Sequence, residues 1–436
     1  MVGLCLEGQY VTIEDRAAMR TNWAGNITFH AARHHFPGTL TEVREIVRHA
    51  DKVRVVGARH SFNDVADTPG DLICLAAFDR QPSLDRDRNQ VTVSPGLTYG
   101  EVGRWLHERE YALANMASLQ HVTIAGACAT ATHGSGDAQG NLTTAVSALE
   151  FVAANGDVVS IDRENGDEFC GLAVGLGGFG AITSMTLDVV PAFSMQQEIY
   201  AGIAFPDLYA NFEEIMASAY SVCLFTDWCH GQIDHLRIKH ALTDDRTINV
   251  PSEFFGAKHT PLDQVDGEEN DAWLARPTGS PGPSYVHLPH FELINPTAPG
   301  YELQTEYFVP RQHAVDAFRA IEAIQGEFAS LITLTEIRSV AADELWMSPS
   351  YRTPTVGIHF GWKRNWQAVK RLLPLLENAL APFDARPHWG KLFTMSRSRL
   401  ESLYKRLPDF RALLRQYDPQ GKFRNSFLDT QLFDSV

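Results

Sequence analysis

Asp167-Glu-Phe-Cys-Gly-Leu-Ala-Val-Gly175-Leu-Gly-Gly-Phe-Gly180-Ala-Ile-Thr-Ser-Met-Thr-Leu-Asp-Val-Val190 carries a G-x-G-x-x-G pattern at Gly175, Gly177 and Gly180. In a Rossmann dinucleotide site that pattern follows a strand and opens a helix, so that the pyrophosphate rests on the helix N-terminus. Here the order is reversed. Asp167–Val174 is spaced as a helix, and the run from Ala181 to Val190 alternates as a strand. The Rossmann reading of these glycines is therefore rejected.

The flanking sequence supports a mixed α+β layer. Thr39 is a good N-cap for a helical run to Ala50, and Val53-Arg-Val-Val-Gly57 reads as a short buried strand. Val91-Thr-Val-Ser is a second strand, followed by a helix from Tyr99 to Arg109. Asn155-Gly156 between apolar runs marks a hairpin. Beyond residue 190 the texture changes. Residues 244–300 are rich in Pro, Gly and acidic side chains, which predicts a long irregular cover. Strands return at Ser330–Ser339 and Thr355–Trp362, with a helix over Trp366–Leu380.

A chain of 436 residues favours two domains. The net charge of −16 argues against a nucleic-acid surface or an anionic membrane partner. Six scattered cysteines make no disulfide framework. No apolar run is long enough to span a bilayer, and the N-terminus is too short and acidic for a signal peptide. A soluble cytoplasmic protein is expected, with a monomer as the simplest state and no bound metal.

Two further loops offer small side chains and hydroxyls that can cradle a pyrophosphate. One is Val55-Val-Gly57-Ala58-Arg59-His60-Ser61-Phe62-Asn63; the other runs Ala125-Gly126-Ala-Cys128-Ala-Thr-Ala-Thr132-His133-Gly134-Ser135-Gly136. Taken in order with Gly175–Gly180, and with Met116-Ala-Ser-Leu-Gln-His, Glu336-Ile-Arg338-Ser, His359-Phe-Gly-Trp, His388-Trp-Gly-Lys391 and Asp418-Pro-Gln-Gly-Lys-Phe, they resemble the vanillyl-alcohol-oxidase-like FAD family. The resemblance covers nearly the whole chain and is strongest to the sugar-alcohol oxidases, with the aldonolactone oxidases a step further away.

That resemblance implies an FAD-binding domain over residues 1–190, a substrate (cap) domain over 191–400, and a segment 401–436 returning to the first. It implies FAD joined covalently to His60. The expected cofactor contacts are Gly57, Ala58, Arg59, His60, Ser61, Phe62, Ser118, Ala125, Gly126, Cys128, Thr132, His133, Gly134, Ser135, Gly178, Gly180 and Ile182. Some relatives link a second bond to a cysteine in the loop of Cys128; here Cys128 is read as a small buried hydrophobe.

Glu336 and Arg338 lie two apart on a strand and share a face, with Ile332 and Leu334 preceding them on it. His359 and Gly361 share a face of the next strand, while Ile358, Phe360 and Trp362 face a core. With the resemblance, Glu336, Arg338, Ser118, Gly361 and Lys391 are expected to hold a small alcohol, and His359 or Lys391 to take its proton. Hydride passes to the flavin and O2 reoxidises it.

Two positions depart from the polyol-oxidase pattern. Gly361 stands where those enzymes carry a threonine, so glycine is expected to leave space at the substrate, and Gly361→Thr to tighten polyol binding. Ala117 precedes Ser118, and in the lactone branch an alanine there hinders oxygen. An aldonolactone oxidase or dehydrogenase, or a flavin-carrying protein without activity, are the competing expectations.

Overall fold

The computed structural model describes residues 20–78, 81–242, 247–260, 279–290 and 302–433. A three-stranded parallel sheet is ordered Arg33–His35, Asp71–Cys74, Val53–Val56. The helix Leu40–His49 joins its first two strands in sequence, held at its start by a capping box between Thr39 and Glu42. Val43 and Val47, one turn apart, bury the helix against the sheet. The hairpin expected at Asn155-Gly156 joins Val146–Val152 to Val158–Asp162 in a five-stranded sheet. Ala181–Asp188 pairs with the first of these, and the short helix Asp167–Leu172 precedes the glycines. The reversed order read from the sequence therefore holds.

A ten-stranded sheet takes all its strands from residues between Ser194 and Pro387. At one end, Ile332–Val340, Thr355–Trp362 and Leu303–Pro310 lie side by side and antiparallel. Their register builds cross-strand rows. Glu336, His359 and Glu306 form one row, and Leu334, Gly361 and Gln304 the next. Ile358, Phe360 and Trp362 are fully buried on the opposite face, where the last two rings stack at 5.4 Å. The helix Trp366–Leu380, capped by Asn365, covers that core.

One expectation fails here. A register shift between Ile332 and Leu334 inserts Thr333 as an extra residue. A bulge breaks the two-residue period, so Ile332 pairs with Trp362 and only Leu334 joins the row leading to Glu336.

The expected cover at 244–300 lies largely outside the described residues. Its described parts hold short strands at Glu253–Phe254, Ala257–His259 and Gly282–Pro283 and a helical turn Ser284–His287. Near the C-terminus, Asp418 accepts the Lys422 and Phe423 amides and bends the chain back. The Val53 amide then donates to Lys422 O, and Asn425 donates to the carbonyls of Asp64, Val65 and Asp67. Among the described residues no helix is long and apolar enough to cross a membrane.

Candidate active site

A cleft runs between the three loops and the polar face of the ten-stranded sheet. The strand Val53–Val56 delivers the first loop to it, so that Gly57, Ala58, Arg59, His60, Ser61 and Phe62 all line the wall. Gly57 is needed for close approach: a Cβ there would sit 2.1 Å from Thr123 Oγ1. Arg59 has φ of +62°, a left-handed conformation that side chains disfavour. It is held there by the Trp23 amide donating to Arg59 O and by Arg59 donating to Thr21 O. The turn aims His60 into the cleft, stacked on Trp23 at 4.5 Å and touching His121 through their Nε2 atoms. Burial, then the neighbouring His121, holds the His60 imidazole well below its usual pKa, and burial pushes His121 down to about 4. His60 is therefore neutral, with a nitrogen lone pair available for a covalent bond.

The same loop fixes the opposite wall. Asn63 Nδ2 donates to the carbonyls of Trp389 and Lys391, each at 2.8 Å, and the Phe62 amide donates to Gly390 O. Ser118 of the Met116–His121 segment and, from the second loop, Gly126, Thr132 and His133 reach the cleft. Ala125, Cys128, Gly134 and Ser135 do not line it. Ala125 packs on the core, Gly134 abuts Asn115, and Ser135 donates to Val222 O. Cys128 is fully buried against Tyr99, and burial pushes its thiol up to about 11, which suits the hydrophobe reading.

From the third loop, Leu176 and Gly177 line the cleft, whereas Gly178, Gly180 and Ile182 lie behind it. A Cβ at Gly178 would meet Leu414 and Leu428, and one at Gly180 would meet the Val152 carbonyl. These glycines serve packing. Buried Arg54 anchors the loop, donating to the carbonyls of Leu176 and Gly177 as well as those of Val65 and Phe423.

At the sheet end, Glu336, Arg338, His359 and Lys391 converge as expected. Arg338 Nη1 donates to Ser118 Oγ at 2.7 Å, joining the Met116–His121 segment to the sheet. The centre of the cluster is a residue that the sequence reading missed. Glu306 accepts from Lys391 Nζ at 2.6 Å and from Arg338 Nη2 at 3.1 Å, and lies 2.8 Å from His133 Nε2. Burial alone would raise the Glu306 pKa, but Lys391, His133 and Arg338 outweigh it and hold the carboxyl well below the usual range. Burial lowers the Lys391 pKa against the opposing pull of Glu306. Burial, then Lys391, pushes His359 down to about 3, so its ring is neutral. Its Nδ1 lies 3.9 Å from Glu336 Oε1.

Both ring nitrogens of His359, together with Glu336 Oε2 and Arg338 Nε, are buried with no hydrogen-bond partner among the described residues. Beside His60, Trp23 Nε1 and His121 Nδ1 are in the same state, though neither residue itself lines the cleft. Buried polar groups are rarely left unpaired, so such clusters at a cleft point to ligands. With walls of small residues and a neutral histidine at one end, the residues present fit an FAD. Gly361 is not on the cleft wall. A Cβ there would lie 2.2 Å from Glu302 Oε2, so the space that the missing side chain leaves is already filled by a carboxylate.

The comparisons agree with this geometry. A family profile described as FAD binding domain matches residues 32–162, and one described as D-arabinono-1,4-lactone oxidase matches residues 301–431. Alditol oxidase from Streptomyces sp. is 40% identical over 411 residues, covering 94% of this chain and 97% of that protein. L-gulonolactone oxidase from Mus musculus is 25% identical, covering 94% of this chain and 97% of its own. Cholesterol oxidase from B. sterolicum, a solved structure 16% identical, superposes with a TM-score of 0.74 over 94% of this chain and 96% of its own, and shows the two-domain FAD-binding oxidase fold. The chain belongs to the vanillyl-alcohol-oxidase-like family of FAD-linked oxidoreductases, in its alditol and aldonolactone oxidase branch.

Proposed function

We propose that this protein oxidises a primary alcohol of a small polyol, such as xylitol or sorbitol, to the aldehyde on an FAD bound covalently to His60, with O2 as acceptor and hydrogen peroxide as product. Residues 1–190 and 401–436 would hold the cofactor and residues 191–400 would cap the substrate. When bound, FAD would supply a hydride acceptor for the substrate carbon and a route for its electrons to oxygen. Arg338 and Lys391 bind the reacting oxygen and offset charge that builds on it as its proton leaves. Glu306 keeps both cations oriented. His359, neutral and unpartnered, takes the hydroxyl proton, and Glu336 at 3.9 Å steadies the ring once it is charged. Ser118, held by Arg338, contributes a hydroxyl beside the substrate.

The observation that carries this reading is the His359 ring, buried with both nitrogens unpartnered among the described residues, between Glu336 and the Lys391–Glu306 pair. Oxidation of a ring hydroxyl of an aldonolactone is the second reading, favoured by Ala117 on the cleft wall and by the lactone-oxidase match over residues 301–431. Peroxide production on xylitol, sorbitol and gulonolactone separates the two. The proposal expects the open-chain polyols to have the higher kcat/KM. A clear preference for gulonolactone would replace it with the second reading.

A further inference from the structure

His60 has a neighbour that substrate oxidation does not use. Gly57 lets the first loop press against Thr123, where a Cβ would stand 2.1 Å from Oγ1. The chain just before Thr123 is pinned to the helix Tyr99–His107. The Tyr99 amide donates to Val122 O at 3.1 Å and the Gly100 amide to Gln120 O at 2.8 Å. His121 lies between those two carbonyls, so its backbone is fixed on both sides. Its ring meets that of His60 with centroids 4.4 Å apart and planes at 47°, and the two Nε2 atoms are in contact. Trp23 stacks on the His60 ring at 4.5 Å and holds it in place.

This contact sorts the nitrogens of His60. Its Nε2 faces His121, which leaves Nδ1 for a bond to a group in the cleft. A neutral imidazole carries one proton, and the nitrogen that forms a bond must be the bare one. The N–H is then at Nε2 and is donated to His121. Bond formation at Nδ1 turns His60 into an imidazolium, and burial, His121, Arg59 and Lys391 all oppose a positive charge there. A proton acceptor is therefore needed, and His121 Nε2 is the atom in place. Burial holds His121 down to about 4, whereas those further cations add to burial at His60, so His121 is the stronger base of the pair. Its Nδ1 is buried with no partner among the described residues, so no other hydrogen bond fixes which nitrogen carries the proton.

We propose that His121 is the proton acceptor for covalent attachment of FAD to His60. The inference rests on the reading of His60 as the attachment site. In this step His60 Nδ1 bonds to a ring-methyl carbon of the isoalloxazine. One C–H bond of that methyl breaks, its proton leaves to solvent, and its electron pair reduces the ring system by two electrons. His121 Nε2 takes the proton from His60 Nε2 and yields it to water. O2 then removes the two electrons, with two protons, as hydrogen peroxide, so one peroxide forms for each bond made.

The test uses full-length wild type, His121→Gln and His121→Ala, each purified with its FAD. Total flavin per chain, flavin kept by the acid-precipitated protein, and intact mass are followed over time in air. Wild type should keep its flavin in the pellet. His121→Gln fills similar space and accepts a hydrogen bond but takes no proton. It should bind FAD and release it to the supernatant, with attachment slowed about 100-fold or more, the scale of a positioned base. His121→Ala should do the same, and free imidazole should restore the bond with one peroxide per chain linked. A merely structural role would lower total flavin or melting temperature and would not respond to imidazole. Attachment at the wild-type rate in either variant overturns the proposal. So does an FAD-bound His121→Ala that imidazole fails to rescue, or loss of all FAD from both variants. Flavin in the wild-type supernatant is a different failure, which overturns covalent attachment to His60 itself and the role of His121 with it.

Discussion

Arg338 and Lys391 are linked through one carboxylate, so their removal should be felt at the reacting oxygen rather than at the cofactor. Arg338→Ala or Lys391→Ala should cost about 2–4 kcal/mol of transition-state stabilisation, the scale for a preorganised charge donor. The check is kcat/KM on xylitol, with flavin content unchanged; near-normal turnover in either variant would make that residue structural. Gly361→Thr should weaken polyol binding, the reverse of what the sequence suggests, because its Cβ would fall 2.2 Å from the Glu302 carboxylate. Michaelis constants for xylitol decide it, and a lower value in the variant would mean that Glu302 moves aside freely. Glu336, Arg338 and His359 were legible because strand spacing isolates polar side chains on one face. Glu306 was not. A glutamate in a strand looks like any exposed charge until the register sets it opposite His359.

Elements with a strong period were the readable ones. Thr355–Trp362 and Trp366–Leu380 have the bounds that the sequence suggests, since alternation or helical spacing runs unbroken through each. The bulge at Thr333 was invisible, because an inserted residue leaves no composition signal. The glycines at 178 and 180 misled for a related reason: a glycine for packing and one for a ligand look alike in sequence. Arg54 is the feature of the Val53–Val56 strand with the largest structural reach, joining loop carbonyls at Leu176 and Gly177 to the returning segment at Phe423. Arg54→Met should leave those buried carbonyls unpaired and cost about 3–5 kcal/mol. The midpoint of urea unfolding measures this, and a loss below about 1 kcal/mol would show that water replaces the guanidinium.

At the scale of the whole molecule, the fold stores several histidines in neutral form. Burial is the leading cause at His121, His235 and His359, held at about 4, 3 and 3 against 6.5 when unfolded. Below pH 6.5 the unfolded chain therefore binds more protons than the fold. Stability present above that pH is lost as pH falls toward the folded values. Each such histidine contributes a slope of about 1.4 kcal/mol per pH unit in that window. Thermal melting should drop steeply from pH 6.5 towards pH 4, and a flat melting temperature there would contradict neutral burial. The α+β class was legible from the order of helix, glycines and strand around residue 175. The place of Glu306 at the centre of the cluster was not, since it depends on pairing across the sheet. The most direct test of the central claim is an anaerobic one. Xylitol mixed with the flavin-loaded protein under nitrogen should bleach the flavin absorbance, and admitting air should restore it with release of peroxide. Absorbance that stays unchanged with both xylitol and sorbitol would contradict alcohol oxidation at this site.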